Sequence, residues 1–385
     1  MIYYGRQDIN ETDIQTVEEV MRSDFLTQGP AIEHFERKVA EYCGARYAVA
    51  VTNATSALHI ACLAAGIGKG DLVWTTPITF TASANCARYC GADVDFVDID
   101  ADTYNMSVDV LEEKLQTAKK HGHLPNLVIP VHLAGQSCDM KRMKALSEAY
   151  GFRLLEDASH AIGADYADGK VGNCAFSNMA VFSFHPVKII TTGEGGMVLT
   201  NDKMLYEKLN LYRSHGITRD AAKMSHESDG PWYYQQITLG YNYRTDIQAA
   251  LGASQMERID AFVARRRSLV ARYNTALQDF PVKTPYVMEG ADPSWHLYIV
   301  RINFANVTKT KQEIFAEMAQ KGVALNLHYI PVHTQPYYEA LGHRPEECPN
   351  AMDYYREALT LPLYPGLTDD EQDQVIEALR EVLTA

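Results

Sequence analysis

The residue best suited to covalent chemistry in this chain is Lys188, in the run Met179 to Asp202, MAVFSFHPVKIITTGEGGMVLTND. A lysine amine that has shed its proton attacks carbonyl carbon, and removal from water is one way to bring this about near neutral pH. Two strand-like apolar runs flank it, Ala180 to Phe184 and Met197 to Thr200, with Gly193, Gly195 and Gly196 around Glu194 between them. A glycine-rich turn of this kind lets backbone and amine approach a small ligand closely. The same pattern also describes a plain β-hairpin with a lysine in its loop.

Three further stretches carry chemistry of other kinds. Thr52-Asn53-Ala54-Thr55-Ser56 runs from a strand straight into a helix. The free N–H groups and positive dipole end of that helix suit a phosphate, although Asn53 or Thr55 also serves as an ordinary N-cap. Thr76-Pro77-Ile78-Thr79-Phe80 delivers an aromatic ring to the end of a second strand, where a lone Phe is more often core. Glu156-Asp157-Ala158-Ser159-His160 follows the apolar run Phe152 to Leu155. A carboxylate there is costly to bury unless it meets a cation, either an Arg or Lys or a protonated pyridine nitrogen.

The elements that must position these residues alternate. Strands are predicted at Tyr47–Val51, Leu72–Thr76, Val94–Ile99, Leu127–Val131 and Phe152–Leu155. Helices fall between them at Thr55–Ala65, Thr79–Cys90 and near 107–119 and 139–149, after two at Glu11–Ser23 and Ala31–Cys43. Repeated β-α units imply an α/β fold with a mainly parallel sheet, which binds ligands at the carboxyl ends of its strands. Past Asn201 the pattern changes to a helix over Lys203–Arg213, one long helix over Asp246–Leu277, strands at Leu297–Ile302 and Leu325–Tyr329, and helices at Lys311–Gln320 and Asp369–Leu383. That divides the chain into a large domain, 1–250, and a small α+β domain, 251–385, with residues 1–12 free to lie on the small one.

With 385 residues, 46% hydrophobic and 22% charged, the chain reads as a folded globular protein. A net charge of −14 argues against nucleic acid or an anionic membrane as partner. No apolar run approaches a membrane span, and the opening MIYYGRQDIN has no signal pattern, so a cytoplasmic location is expected. Seven cysteines without a CxxC pair fit reduced core thiols. His121 and His123 have no zinc or iron spacing around them, and no metal is expected.

Taken together, a phosphate cradle, an aromatic ring, a strand-end Asp and a lysine on a glycine-rich turn are the four things pyridoxal phosphate requires. Their order resembles that of the sugar aminotransferases of the DegT/DnrJ/EryC1/StrS family, which share the fold of aspartate aminotransferase (fold type I). The likeness runs nearly end to end, through Leu26-Thr27-Gln28-Gly29-Pro30, Asn53 to Leu58, Pro77 to Phe80, Glu156 to Ala161, Ser183 to Lys188 and Thr192 to Gly196. It continues through Arg213-Ser214-His215-Gly216, Gly240 to Arg244, His328-Tyr329-Ile330-Pro331 and Leu361 to Pro365.

The resemblance implies a role for each matching position. Lys188 would form the Schiff base with the cofactor and shuttle protons, and Asp157 would hold the pyridinium nitrogen. His160 would lie near the phenolic oxygen, and Phe80 would stack on the ring. Ala54, Thr55 and Ser183 would hold the phosphate; many members have Gly where this chain has Ala54, but the backbone N–H is retained. Asn242 would reach the phosphate of a neighbouring subunit, making the active unit a homodimer. Thr27, His185, Arg213, Tyr329 and His333 lie in matching segments as candidate substrate contacts.

Within the family the chain is most similar to the aminotransferases of pseudaminic acid synthesis. These pass the amino group of L-glutamate to C4 of a UDP-linked 4-keto-6-deoxy-N-acetyl sugar; relatives use a UDP-4-ketopentose or dTDP-ketosugars. A dehydratase of the same family is disfavoured because those enzymes replace the Schiff-base lysine with His, and Lys188 is present. A non-catalytic member that keeps the fold remains an alternative. A nicotinamide enzyme is weaker, since no G-x-G-x-x-G follows a first strand.

Overall fold

The strands of this protein are short runs of β-branched and aliphatic residues, and their parity sorts them onto two faces. In the computed structural model, which describes residues 1–167, 169–241 and 245–384, seven of them form one sheet. They are β1 (Tyr47–Val51), β2 (Leu72–Thr75), β3 (Asp93–Phe96), β4 (Leu127–Ile129), β5 (Arg153–Asp157), β6 (Met179–Ser183) and β7 (Gly196–Thr200). Their spatial order is β1-β7-β6-β5-β4-β2-β3. All neighbours are parallel except β7, which runs antiparallel to both β1 and β6.

Alternate residues of each strand enter different cores. Val128, Leu154, Ala180 and Phe182 join one, while Leu127, Leu155, Met179 and Val181 join the other. Helices α1 (Glu11–Met21), α2 (Pro30–Cys43) and α3 (Ala54–Ala64) open the chain. Four more follow: α4 (Ala82–Tyr89), α5 (Val108–His121), α6 (Met140–Tyr150) and α7 (Lys203–Tyr212). α2, α5 and α6 supply Phe35, Leu111 and Met143 to the first core; α3, α4 and α7 supply Leu58, Ala84 and Leu209 to the second. Both faces are thus covered, as a parallel sheet requires. This is the mainly parallel α/β sheet, covered by helices on both faces, that the strand and helix order implies.

The C-terminal half has its own core around an antiparallel sheet of β8 (Val282–Lys283), β9 (Tyr298–Ile302) and β10 (Ala358–Leu361). The chain's first residues return to this half. Ile2 lies in the same core, donates its N–H to the Gly322 carbonyl at 2.7 Å and accepts from the Ala324 N–H at 2.8 Å.

Three departures from the sequence expectation bear on the site and on how the halves of the chain meet. The ladder of β5 continues through Glu156 and Asp157, because Asp157 pairs with Val181 on one side and bridges Val131 on the other. The single helix expected over 246–277 is two, α8 (Asp246–Met256) and α9 (Ile259–Ala276). Arg258 leaves helical geometry at the junction (φ −112°, ψ 3°), and its guanidinium reaches Asp8 and Asp13, both at 2.5 Å. Leu325–Tyr329 is not a strand: Asn326 alone bridges Thr360, and the segment, with a cis His328–Tyr329 peptide, turns along a cavity.

Candidate active site

The cavity, about 580 Å³, opens at the carboxyl ends of β5 and β6, with the start of α3 on one wall and residues 326–329 on another. One glycine sets its geometry. Gly196, the first residue of β7, pairs with Val51 on one side and Ser183 on the other. A Cβ at this position would stand 2.4 Å from the Asn53 carbonyl carbon and 2.6 Å from the Ala54 nitrogen. Only glycine therefore lets the start of α3 close down beside Ser183.

Asn53 is the N-cap of α3, and its side-chain oxygen accepts from the Ser56 N–H (2.9 Å) and the Ser56 hydroxyl (2.8 Å). The N-cap alternative is thus realised for Asn53, and it leaves the first-turn amides of Ala54 and Thr55 without an intrahelical acceptor. Both residues line the cavity together with Ser183. Amides at the positive end of a helix, with two hydroxyl side chains beside them, make a cradle for a phosphate.

Asp157 closes β5 with only 4% of its surface exposed. One carboxylate oxygen accepts from the Ser83 hydroxyl at 2.6 Å and the other from the Ser159 N–H at 3.1 Å. Neither oxygen has an Arg or Lys in ion-pair range among the described residues. A buried carboxylate that lines a cavity and still lacks its cation fits a ligand that brings one.

Lys188 lies across the same cavity on the loop between β6 and β7, its N–H donated to the His185 carbonyl at 2.9 Å. Burial pushes its amine down to about 7 from the ordinary 10.5, the Asp157 charge opposing this in part. The amine is 3.4 Å from Nε2 of His296, a residue buried to 2% exposure. His160 accepts the Ala134 N–H at Nδ1 (3.2 Å), so its proton sits on Nε2, which donates to the Tyr329 hydroxyl (3.1 Å). Burial and the nearby Lys188 hold His160 neutral. Phe80 is not core: it is 60% exposed on the cavity wall, its ring 6.3 Å from that of Tyr329. His185 also lines the cavity.

Three candidate substrate contacts lie elsewhere. Arg213 is buried beside β1, where its guanidinium ion-pairs with Glu36, donates to the Ala50 carbonyl (3.1 Å) and donates to Asn210 (2.8 Å). That guanidinium is committed to holding α2, β1 and α7 together. His333 is fully buried against Phe96, its Nε2 facing the Pro345 carbonyl at 3.5 Å. Thr27 is exposed between α1 and α2 and does not line the cavity. Asn242 lies outside the described residues.

The sequence reading missed Ser83, His296, Asn326 and Tyr4, of which the last three line the cavity. Ser83 contacts Asp157 across 74 residues of chain and His296 meets Lys188 across 108, so no local spacing announces either pair. The one available signal was Ser294-Trp295-His296, polar and aromatic residues at the mouth of a strand. One grouping of metal-ligand types occurs among the described residues, Asp95, His343 and Glu347, away from the cavity. Its Asp95 is already neutralised by Lys114 at 2.7 Å, and His343 Nε2 faces the Val94 carbonyl at 3.2 Å.

Residues 7–380 match the model of the DegT/DnrJ/EryC1/StrS aminotransferase family. The chain belongs to that family. It is 38% identical to the spore coat polysaccharide biosynthesis protein SpsC of Bacillus subtilis over 384 residues, 99% of this chain and 96% of that one. It is 34% identical, over 100% of its own length and 98% of the other's, to a Campylobacter jejuni UDP-4-amino-4,6-dideoxy-N-acetyl-beta-L-altrosamine transaminase. Among solved structures, the PMP-form of Spr1654 from Streptococcus pneumoniae superposes with a TM-score of 0.89 at 30% identity, covering 98% of each chain.

Aminotransferases of this family depend on pyridoxal phosphate, and so does this sugar aminotransferase. The residues present fit that cofactor: an amide cradle that would take its phosphate, a buried carboxylate that would meet its ring nitrogen and an amine lowered to about 7 that would meet its carbonyl. No helix among the described residues is long and apolar enough to cross a membrane.

Proposed function

We propose that this aminotransferase moves the amino group of L-glutamate to C4 of a UDP-linked 4-keto-6-deoxy-N-acetyl-hexose, giving UDP-4-amino-4,6-dideoxy-N-acetyl-β-L-altrosamine, a precursor of pseudaminic acid. The observation that carries the chemistry is the Lys188 amine, brought near neutrality in a cavity it shares with Asp157. The sugar is supported by full-length similarity to the Campylobacter transaminase.

Pyridoxal phosphate, when bound, supplies the carbonyl that takes up the amino group and the ring that spreads the electrons left on carbon. Ala54 and Thr55, by backbone and hydroxyl, and Ser183 hold its phosphate. Asp157 compensates the positive ring nitrogen, and Phe80 covers a ring face. His160, whose Nε2–H meets the Tyr329 hydroxyl in this structure, would lie near the phenolic oxygen.

Lys188 would hold the cofactor through its side-chain amine. Its amine, when free, would take the proton from the α-carbon of glutamate and give a proton to sugar C4 from one face. A pKa near the working pH suits a group that must both take and give that proton. His185 and Tyr329 meet the sugar nucleotide at the cavity. The enzyme works as a cytoplasmic homodimer, Asn242 serving the neighbouring subunit's phosphate, with a cofactor domain of 1–250 and a small domain of 251–385.

A second reading is a different nucleotide ketosugar, such as a UDP-4-ketopentose or a dTDP-ketosugar, since the chain is more identical to a spore coat polysaccharide biosynthesis protein (38%) than to that transaminase (34%). Mass spectrometry after incubation with glutamate and the UDP-linked 4-keto-6-deoxy-N-acetyl sugar separates them. A C4-amino product with equimolar 2-oxoglutarate supports the proposal. A yellow protein that bleaches with glutamate yet leaves this sugar unchanged discards the sugar and keeps the transaminase. Yellow colour that never develops with added cofactor would point to a non-catalytic member.

A further inference from the structure

His296 stands where nothing in the sequence motifs put a functional residue. It is 2% exposed, its Nε2 is 3.4 Å from the Lys188 amine, and its ring lies 4.4 Å from that of His160. Its backbone is pinned, because Arg266 donates Nη1 to the carbonyls of His296 (3.2 Å), Trp295 (3.1 Å) and Leu363 (2.9 Å). Nδ1 is buried and has no hydrogen-bond partner among the described residues.

That orphan decides the tautomer. A buried N–H without an acceptor is rarer and costlier than a bare ring nitrogen lacking a donor. The ring proton therefore sits on Nε2, facing Lys188. An N–H can donate to the lysine nitrogen only when that nitrogen is the free base, with its lone pair open.

We infer that His296 is the positioning residue for Lys188: its Nε2–H donates to Nζ and holds the amine as a free base whenever it is not joined to the cofactor. This rests on the reading of Lys188 as the cofactor lysine. His296 keeps its own proton throughout, and the proton moved in the reaction is carried by Nζ alone. At 3.4 Å the bond is long, and it is given up when the amine turns into the cavity.

The charged and titratable groups around the pair come from every side. Asp157 and His160 approach from the end of β5, His185 from the lysine's own loop, His328 from the 326–329 segment and Arg266 from α9. Asp157 favours the ammonium and burial opposes it; a donor at Nζ would add to the effect of burial.

Two measurements on the cofactor-free protein test this. The first is ¹⁵N NMR of the histidine-labelled wild type: the inference expects a neutral His296 with the proton on Nε2, and a proton on Nδ1 overturns it. The second is the pH dependence of Lys188 acetylation by acetic anhydride, read on the Lys188 peptide by mass spectrometry.

Wild type should show a midpoint near 7. His296→Phe should raise it by about one pH unit, roughly a tenfold loss of reactivity at neutral pH, since one hydrogen bond to the neutral form is lost. His296→Gln, which returns an amide N–H to the position of Nε2, should restore most of the shift. A His296→Phe midpoint equal to or below that of wild type refutes the role. The NMR result stands even if that variant does not fold. The lysine reading is checked apart from this by borohydride reduction of the pyridoxal-phosphate-loaded wild type. A label on any peptide other than that of Lys188 would reject it without touching the tautomer result.

Discussion

Gly196→Ala tests whether the phosphate cradle is built by close approach of two backbones. The new Cβ would stand 2.4 Å from the Asn53 carbonyl carbon, 2.5 Å from its oxygen and 2.6 Å from the Ala54 nitrogen, where ordinary contact is 3.4–4 Å. Something must therefore move by about 1 Å. β7 cannot easily do so, because its ladder pairs with β1 along one edge and β6 along the other. The start of α3 yields instead, carrying the Ala54 and Thr55 amides away from Ser183.

Overpacking of this kind costs about 1–3 kcal/mol of stability. Displacing one charge-assisted N–H bond from a phosphate costs about 1.5–3 kcal/mol of binding, or roughly ten- to a hundredfold in affinity. The assay is titration of the cofactor-free variant with pyridoxal phosphate and, in parallel, with pyridoxal, which lacks the phosphate. Pyridoxal phosphate should weaken by that factor while pyridoxal binding stays near wild type. Equal weakening of the two, or no weakening of either, would refute the cradle as the origin of the effect.

Two further outcomes are expected. Lys188 is depressed to about 7 when folded against 10.5 ordinarily, so between those values the unfolded chain binds the extra proton and stability of the cofactor-free protein rises with pH. Lys188→Met removes that contribution, flattening the slope of urea-unfolding free energy between pH 7.5 and 9.5 by at most about 1.4 kcal/mol per pH unit; equal slopes would show an ordinary lysine. Arg213→Gln strips the cation from a buried pair with Glu36, a loss of about 3–5 kcal/mol in unfolding free energy with KM for the sugar nucleotide unchanged in the folded fraction. A KM raised about tenfold at undiminished stability would return Arg213 to the substrate.

The residues that the sequence made legible and those it hid differ in one physical respect. Lys188, Asp157, Ser183 and the start of α3 sit at the ends of strands or at the turn beside them, and a parallel sheet sends all such ends to one edge. The alternation of strands and helices placed Asp157 and the start of α3, the glycine-rich turn marked Lys188 and the family resemblance added Ser183, although the strand reading stopped β5 two residues short at a carboxylate pair. Arg213 and His333 were drawn in because their neighbours in sequence match a motif, yet adjacency in a motif does not say which way a side chain points. Arg213 points beneath β1, where a buried Glu36 needs its charge. His333 packs on Phe96.

The hidden residues belong to packing between halves of the chain. Arg258 breaks the 246–277 helix only because Asp8 and Asp13 are brought to it from the other end of the sequence. His296 reaches Lys188 only because the C-terminal core, anchored by Arg266, is seated over the end of the sheet. The cavity's wall at Tyr4 and Asn326 depends on the same seating. The sheet edge therefore supplies the groups proposed to bind and react with the cofactor. The second half closes the cavity over Lys188 and brings the His296 ring, proposed above to hold the lysine amine, to within 3.4 Å of it.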